Sequence, residues 1–148
     1  MQSRDGFTII ELVIVLILAG IIGGIAMIQA SKTLAHTSVQ QAAAVIATDM
    51  KLAHSLAARA REPVRISIDT ANRIMRVVDY NAWTTVYSER RFGNADDVPV
   101  QFMAASDTTL LVFPTGLTSG SLNITVRTDD KRRRVSMTRA GQVRITAP

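Results

Sequence analysis

The chain has 148 residues, 47% of them hydrophobic, no cysteine, and a formal net charge of +5 at pH 7. That length holds one small domain beside an apolar N-terminal stretch, and the lack of cysteine excludes a disulfide framework and a thiol nucleophile. Charge is unevenly spread: residues 1–29 sum to −1, residues 30–126 to +1, and the last 22 residues, with seven Lys and Arg against two Asp, to +5. A basic end, rather than a basic protein, needs explaining.

Residues 1–6 are short and mostly polar. From Phe7 to Ile28 the only charged residue is Glu11. A run of about 22 residues makes roughly 33 Å of helix, enough on this reading to cross a bilayer core. In a secretory signal peptide the small residue at the cleavage site follows the apolar core. Here Gly6 precedes it, so a cut after Gly6 leaves the apolar helix on the mature chain. A carboxylate in a membrane helix costs about 3 kcal/mol on insertion scales and marks a job or a partner. If the mature chain begins at Phe7, its α-amine lies about one turn from Glu11 and is suited to neutralise Glu11 of a neighbouring subunit. Gly20, Gly23 and Gly24 either loosen this helix or let another helix approach closely.

The helix is expected to continue. Val39, Ala42, Ala43, Ile46, Met50, Ala53, Leu56, Ala57 and Ala60 recur at three- and four-residue steps, an amphipathic stripe. Gln40, Asp49, Lys51 and Arg59 fall mostly off it. Glu62-Pro63 ends the helix at about Arg61, because the residue before proline is pushed out of the α region. Alternating Val64, Ile66 and Ile68 predict a strand, and a turn at Asp69-Thr70-Ala71-Asn72 returns it as Ile74–Val78. Further strands are expected at Trp83–Ser88, Val100–Met103, Thr109–Phe113, around Leu122-Ile124-Val126, around Val135-Met137 and around Val143-Ile145. Arg90–Pro99 reads as a mobile loop, and Pro114-Thr115-Gly116 as a sharp turn. The expected architecture is α+β, with a long N-terminal helix, transmembrane in its first half, packed on antiparallel sheet.

Gly6-Phe7-Thr8-x-x-Glu11-Leu12 with the apolar helix behind it resembles the class III leader of type IV pilins and of the pseudopilins of type II secretion. That resemblance implies that a prepilin peptidase cuts after Gly6, that Phe7 becomes N-methylated, and that Glu11 sets subunit register in a filament. Many major pilins carry a proline within this helix and a C-terminal disulfide; this chain has no proline before Pro63 and no cysteine. Beyond the leader, the chain is similar to the GspH/FimT branch of minor pseudopilins and minor pilins. Three pieces carry this: the alanine-rich helix running through Arg61-Glu62-Pro63-Val64 into a strand, the turn Leu111-Val112-Phe113-Pro114-Thr115-Gly116, and the closing Val135-Ser136-Met137 and Gly141-Gln142-Val143-Arg144. The resemblance implies a leader over residues 1–6, a transmembrane half-helix over 7–29 and a periplasmic pilin-like domain over 30–148. It implies single-pass inner-membrane localisation before assembly into a pseudopilus or pilus. Prepilin peptidase, other pilin or pseudopilin subunits and the inner membrane are the implied partners.

Catalysis finds little support. His36 and His54 are five helical turns apart, about 27 Å, too far for one metal site or one catalytic pair. Asp96-Asp97 and Asp129-Asp130 are carboxylate pairs in loops, the chemistry of calcium ligation, but neither has EF-hand spacing, and solvated turns account for them. No metal, cofactor or enzymatic role is expected. Lys131, Arg132, Arg133 and Arg134, with Arg127, Arg139 and Arg144, form the remaining candidate site. On neighbouring strands they make a cationic patch that suits phosphates. FimT-like minor pilins that bind DNA end in Gly-Arg-x-Arg; here the first arginine of that motif is Gln142. Two other readings stand beside DNA: Arg132 and Arg134 as solvent-facing residues that discourage edge pairing, and contact with an acidic neighbour in the filament. Tyr80, Trp83 and Tyr87 suit either base stacking or the core of a small sheet. The reading favoured by the sequence is a GspH-type minor pseudopilin in the pseudopilus tip, with a FimT-like DNA-binding minor pilin as the alternative.

Overall fold

The computed structural model describes residues 8–82, 84–93 and 98–147, the side chains of residues 26, 28 and 30–32 excepted. The elements are α1 (Ile9–Ala60), β1 (Val64–Asp69), β2 (Ile74–Asp79), β3 (Val86–Arg91), β4 (Phe102–Ala105), β5 (Thr109–Val112), β6 (Leu122–Thr128), β7 (Lys131–Met137) and β8 (Val143–Thr146). The chain divides into two compact units, Met1–Leu34 and Ala35–Pro148.

In the first unit the described residues form the opening turns of α1, with large apolar side chains exposed from Ile9 to Ile25. Thr8 caps them. Its Oγ1 accepts from the Glu11 N–H at 3.3 Å, and Glu11 Oε2 accepts from the Thr8 N–H at 3.4 Å, the reciprocal pattern of a capping box. Among the described residues no helix is long and apolar enough to cross a membrane. This overturns the expected transmembrane first half over residues 7–29, and with it the single-pass inner-membrane localisation. Glu11 stands in the first turn of α1. The apolar run after it, Leu12 to Ile28, makes only about 25 Å of helix against a hydrocarbon core of about 30 Å. The leader over residues 1–6, with Gly6, and the following Phe7 lie outside the described residues.

The second unit is organised by the alanine-rich turns of α1. Val39, Ala42, Ala43, Ile46, Met50, Ala53 and Ala57 are buried, as the stripe predicts, while Leu56 is half-buried and Ala60 exposed. The small side chains let the backbone of a sheet come close, and Ile46 and Met50 fill what remains. Asp49 departs from expectation: it is buried with the stripe, and β3 explains why, as described below. The helix stops where Arg61 takes the left-handed conformation (φ 57°), ahead of Pro63.

The strands form two four-stranded antiparallel sheets, ordered β3-β2-β1-β5 and β4-β6-β7-β8. In the first, Val64, Ile66 and Ile68 of β1 are buried with Met75 and Val77 of β2 and Leu110 and Val112 of β5; in the second, Leu122, Ile124 and Val126 are buried with Val135 and Met137. The β1–β2 hairpin turns where expected, with Asp69 accepting from the backbone and side-chain N–H of Asn72 at 3.0 and 2.7 Å.

Three local expectations shift. β3 begins at Val86 because Asp79 captures the N–H groups of Asn81 and Ala82 at 2.8 and 2.9 Å and lengthens the turn. Both ends of the expected loop over 90–99 are pinned. Phe92 is fully buried, its N–H donates to the Arg73 carbonyl at 2.9 Å, and it bridges Val98 in parallel. Residues 94–97, including Asp96 and Asp97, lie outside the described set. β4 begins two residues later than expected, at Phe102, since Gln101 is engaged in the β6–β7 turn. Its amide donates to Asp129 Oδ1 at 2.8 Å and its Oε1 accepts from the Asp129 N–H at 3.0 Å.

The turn after β5 and the turn joining β7 to β8 meet beside His54 of α1. Gly116 (φ 85°) and Gly141 (φ 75°) are both left-handed. A Cβ on Gly141 would collide with the Gly116 carbonyl oxygen and lie 2.5 Å from His54 Cε1. His54 is thus a joint in the second unit rather than a free polar-face residue. Its burial pushes the imidazole pKa below the ordinary value, opposed by the Gly141 backbone.

A candidate cationic interface on the second sheet

The register of β6, β7 and β8 sorts the basic end of the chain. Arg127 lies directly opposite Arg132, Thr125 opposite Arg134, and Ser136 opposite Arg144. Residues opposite each other in an antiparallel pair share a face, as do residues two apart along a strand. Arg127, Arg132, Arg134 and Arg144 therefore occupy the outer face of the sheet, and all four are exposed. The other residues β6–β8 place there, Asn123, Thr125, Ser136 and Thr146, carry no charge. Buried Val135 and Met137 fix the opposite phase, so Lys131 and Arg133 point to the inner face and are half-buried.

Directly opposed like charges are unfavourable on a sheet. The Arg127–Arg132 pair is relieved from one side: the Arg127 guanidinium carbon sits 5.1 Å from the Phe102 ring centroid. Such a cation–π contact contributes about 0.5–1 kcal/mol at an exposed site. Phe102, opposite Arg127 on β4 and 46% exposed, belongs to this face and was missed by sequence reasoning. Its alternation with buried Met103 was the available signal. The face is chemically suited to a polyanion or an acidic protein surface.

The other expected members lie elsewhere. Arg139 is in the β7–β8 turn, at the far end of β7 from Lys131, where its carbonyl accepts from the Thr118 N–H at 3.0 Å. Lys131 pairs with Asp130 at 2.9 Å. Tyr80 and Tyr87 are half-exposed at the first sheet, not beside the arginine face. Arg65 lies 5.3 Å over the Tyr80 ring, and the Tyr87 hydroxyl donates to Asp79 at 2.8 Å. Trp83 lies outside the described residues. Asp129 is committed to its turn with Gln101, and among the described residues no group of three or more His, Cys, Asp or Glu side chains is placed to hold a metal ion. Glu11, at the start of α1, is engaged by Thr8.

Comparison with known proteins agrees with this architecture. The crystal structure of the Pseudomonas aeruginosa type IV minor pilin FimU superposes with a TM-score of 0.61 at 13% identity, covering 76% of this chain and 93% of that one. The minor pseudopilin EpsH of the Vibrio cholerae type 2 secretion system superposes at 0.55 with 17% identity, covering 75% and 98%. No curated protein sequence matches the chain. A profile for the prokaryotic N-terminal methylation motif matches residues 1–27, and one for the type II transport protein GspH matches residues 42–141. With more than half of its length matched by that profile, and with the long helix and paired antiparallel sheets of the solved minor pilins, the chain belongs to the GspH family of minor pilins and pseudopilins.

Proposed function

We propose that this protein is a minor pseudopilin of a type II secretion system, assembled into the tip of the pseudopilus and contributing to the export of folded proteins. One observation carries the reading: an N-terminal methylation motif over residues 1–27 and a GspH profile over residues 42–141 coexist in one chain. The role is mechanical. Prepilin peptidase removes residues 1–6, Phe7 becomes N-methylated, and the carboxylate of Glu11 meets the Phe7 amine of a neighbouring subunit and sets its register. Compensation of a poorly solvated carboxylate by a fixed opposite charge supplies the specificity. The test is coexpression with prepilin peptidase and the partner pseudopilins, followed by mass spectrometry of the mature N-terminus and cross-linking to the filament. The expected product begins at methylated Phe7 and enters the filament, and Gly6→Ala is processed less well. A wild-type chain that stays uncut overturns the reading.

The four-arginine face favours a second reading, a minor type IV pilin that binds DNA through Arg127, Arg132, Arg134 and Arg144. Binding of duplex DNA by the full chain at two salt concentrations separates the two. If these four residues neutralise phosphates, affinity falls with salt by about 0.9 log units per log unit of salt for each phosphate contacted. It also collapses when Arg132 and Arg134 are replaced by alanine. Absence of binding by folded protein leaves the face as a contact between subunits.

A further inference from the structure

Beneath the arginine face lies a groove that neither reading uses. The inner side of β7–β8 and the α1 face from His36 to Ala44 enclose two cavities of about 430 and 400 Å³. Arg133 and Ala147 line both, so the two run together along one side of the second unit. The first is bordered by His36, Lys131 and Arg133, with Arg132 of the outer face also at its border, against a single carboxylate, Asp130, which Lys131 holds at 2.9 Å. The second is lined by Gln40, Ala44, Arg133, Ile145 and Ala147, with no carboxylate among them. The groove therefore has an apolar floor and a cationic wall. It also opens at a sheet edge: β8 ends the order β4-β6-β7-β8 and pairs with β7 alone among the named strands. Ile145 projects into it and remains 48% exposed, although its cross-strand partner Val135 is fully buried.

We propose that this groove docks an extended segment of another protein chain whose inward-facing residues, every second one, include both apolar and acidic side chains. The open edge of β8 supplies main-chain hydrogen bonds, as in strand addition to a sheet. Successive side chains of an added strand point to opposite faces, so only its inward set enters the groove, where an apolar residue meets Ala44 and Ile145 and a carboxylate meets Arg133. A half-buried arginine set against an apolar floor is the type of side chain that anchors protein interfaces. The proposal rests on the filament reading only for the identity of the chain that supplies the segment. The docking itself is independent of leader processing and incorporation.

The test measures fluorescence anisotropy of a labelled eight-residue peptide, Val-Thr-Glu-Thr-Val-Thr-Glu-Thr, titrated with the full-length protein. The same peptide with Lys in place of Glu is the comparison. The expected result is binding of the acidic peptide at least tenfold tighter than the basic one. Arg133→Glu should weaken it about tenfold or more, as expected for loss and reversal of a desolvated charge pair. Ala44→Trp, which fills the groove from an exposed helix position without removing a charge, should weaken it similarly, and Arg134→Ala on the outer face should leave it within about twofold. Circular dichroism melts establish that each variant is folded. No binding by the wild-type chain overturns the proposal, as does equal binding of both peptides, or a loss with Arg134→Ala but not with Arg133→Glu. Concentration-dependent self-association that Ala44→Trp abolishes, measured by sedimentation, assigns the groove to a second copy and overturns it too. Normal leader cleavage and filament incorporation alongside absent peptide binding would defeat the groove proposal while leaving the proposed function standing.

Discussion

Asp49 and Arg90, forty-one positions apart, tie α1 to β3. Arg90 Nε donates to Asp49 Oδ2 at 3.3 Å, with the Ser88 hydroxyl donating to the same oxygen at 3.2 Å. The two ends of this pair differ. The Asp49 side chain is 3% exposed and the Arg90 side chain 44%. Removing the arginine leaves a buried carboxylate with one hydroxyl donor, whereas removing the carboxylate leaves a guanidinium that water still reaches. Arg90→Ala is therefore expected to cost about 2–3 kcal/mol, and Asp49→Ala about 1 kcal/mol. Urea unfolding followed by circular dichroism measures both, and the reverse ranking would mean that the helix-side carboxylate is not effectively desolvated.

Gly141 and Gly116 provide a paired test of backbone strain against steric closure. Both have positive φ, but a Cβ on Gly116 meets open space while one on Gly141 strikes the Gly116 carbonyl and the His54 ring. Gly116→Ala is expected to cost about 1 kcal/mol, the ordinary penalty of a left-handed non-glycine residue. Gly141→Ala should cost about 3 kcal/mol, because rigid backbone cannot yield. Equal costs in thermal melts would show that the His54 joint can open freely.

Glu11 has an observed contact with Thr8 and a proposed part in subunit register, and one substitution separates the two. Glutamine at this position preserves the capping box and removes the charge. Glu11→Gln is expected to keep the amide-exchange protection of the first turn of α1 but to enter the filament poorly. Glu11→Ala should lose both, and Thr8→Val should fray the turn at a cost of about 1 kcal/mol. Normal incorporation of Glu11→Gln would remove charge compensation from the register mechanism.

Asp79 reports acid loosening of the β2–β3 turn. Hydrogen bonds from the Ala82 N–H, the Tyr87 hydroxyl and the Asn81 N–H favour its ionised form and hold its pKa below the ordinary carboxylate value. The same bond, with burial, pushes the Tyr87 hydroxyl up. A depressed folded pKa means that the stabilisation is fully present above the unfolded value, near pH 4, and is lost as pH falls through the folded one. Tyr87→Phe should move the Asp79 midpoint upward in a carboxyl-detected NMR titration. An unchanged midpoint would show that the two backbone donors alone set it.

The sequence by itself determined the element types and much of the core. The 3.6-residue spacing from Val39 to Ala57 and the two-residue alternation in β1, β6 and β7 are properties of consecutive residues, and burial follows them. The same alternation places Arg132 and Arg134 outward. The motif at residues 6–12 and the Phe113–Gly116 turn were enough to mark the family. Tertiary structure decided what depends on residues far apart in the chain. Register brought Arg127 opposite Arg132 and put Arg144 on their face, and β4 pairing set Phe102 under Arg127. β3 pairing turned Asp49 from a surface residue into a buried one, and Phe92 left its loop for the core. The division into two sheets set Tyr80 and Tyr87 apart from the arginine face, and packing of β7–β8 on α1 made a groove between His36 and Arg133. Local spacing is set by backbone geometry, whereas partners are chosen by whichever distant surface buries the apolar residues and satisfies the polar ones, and no window of consecutive residues contains that choice.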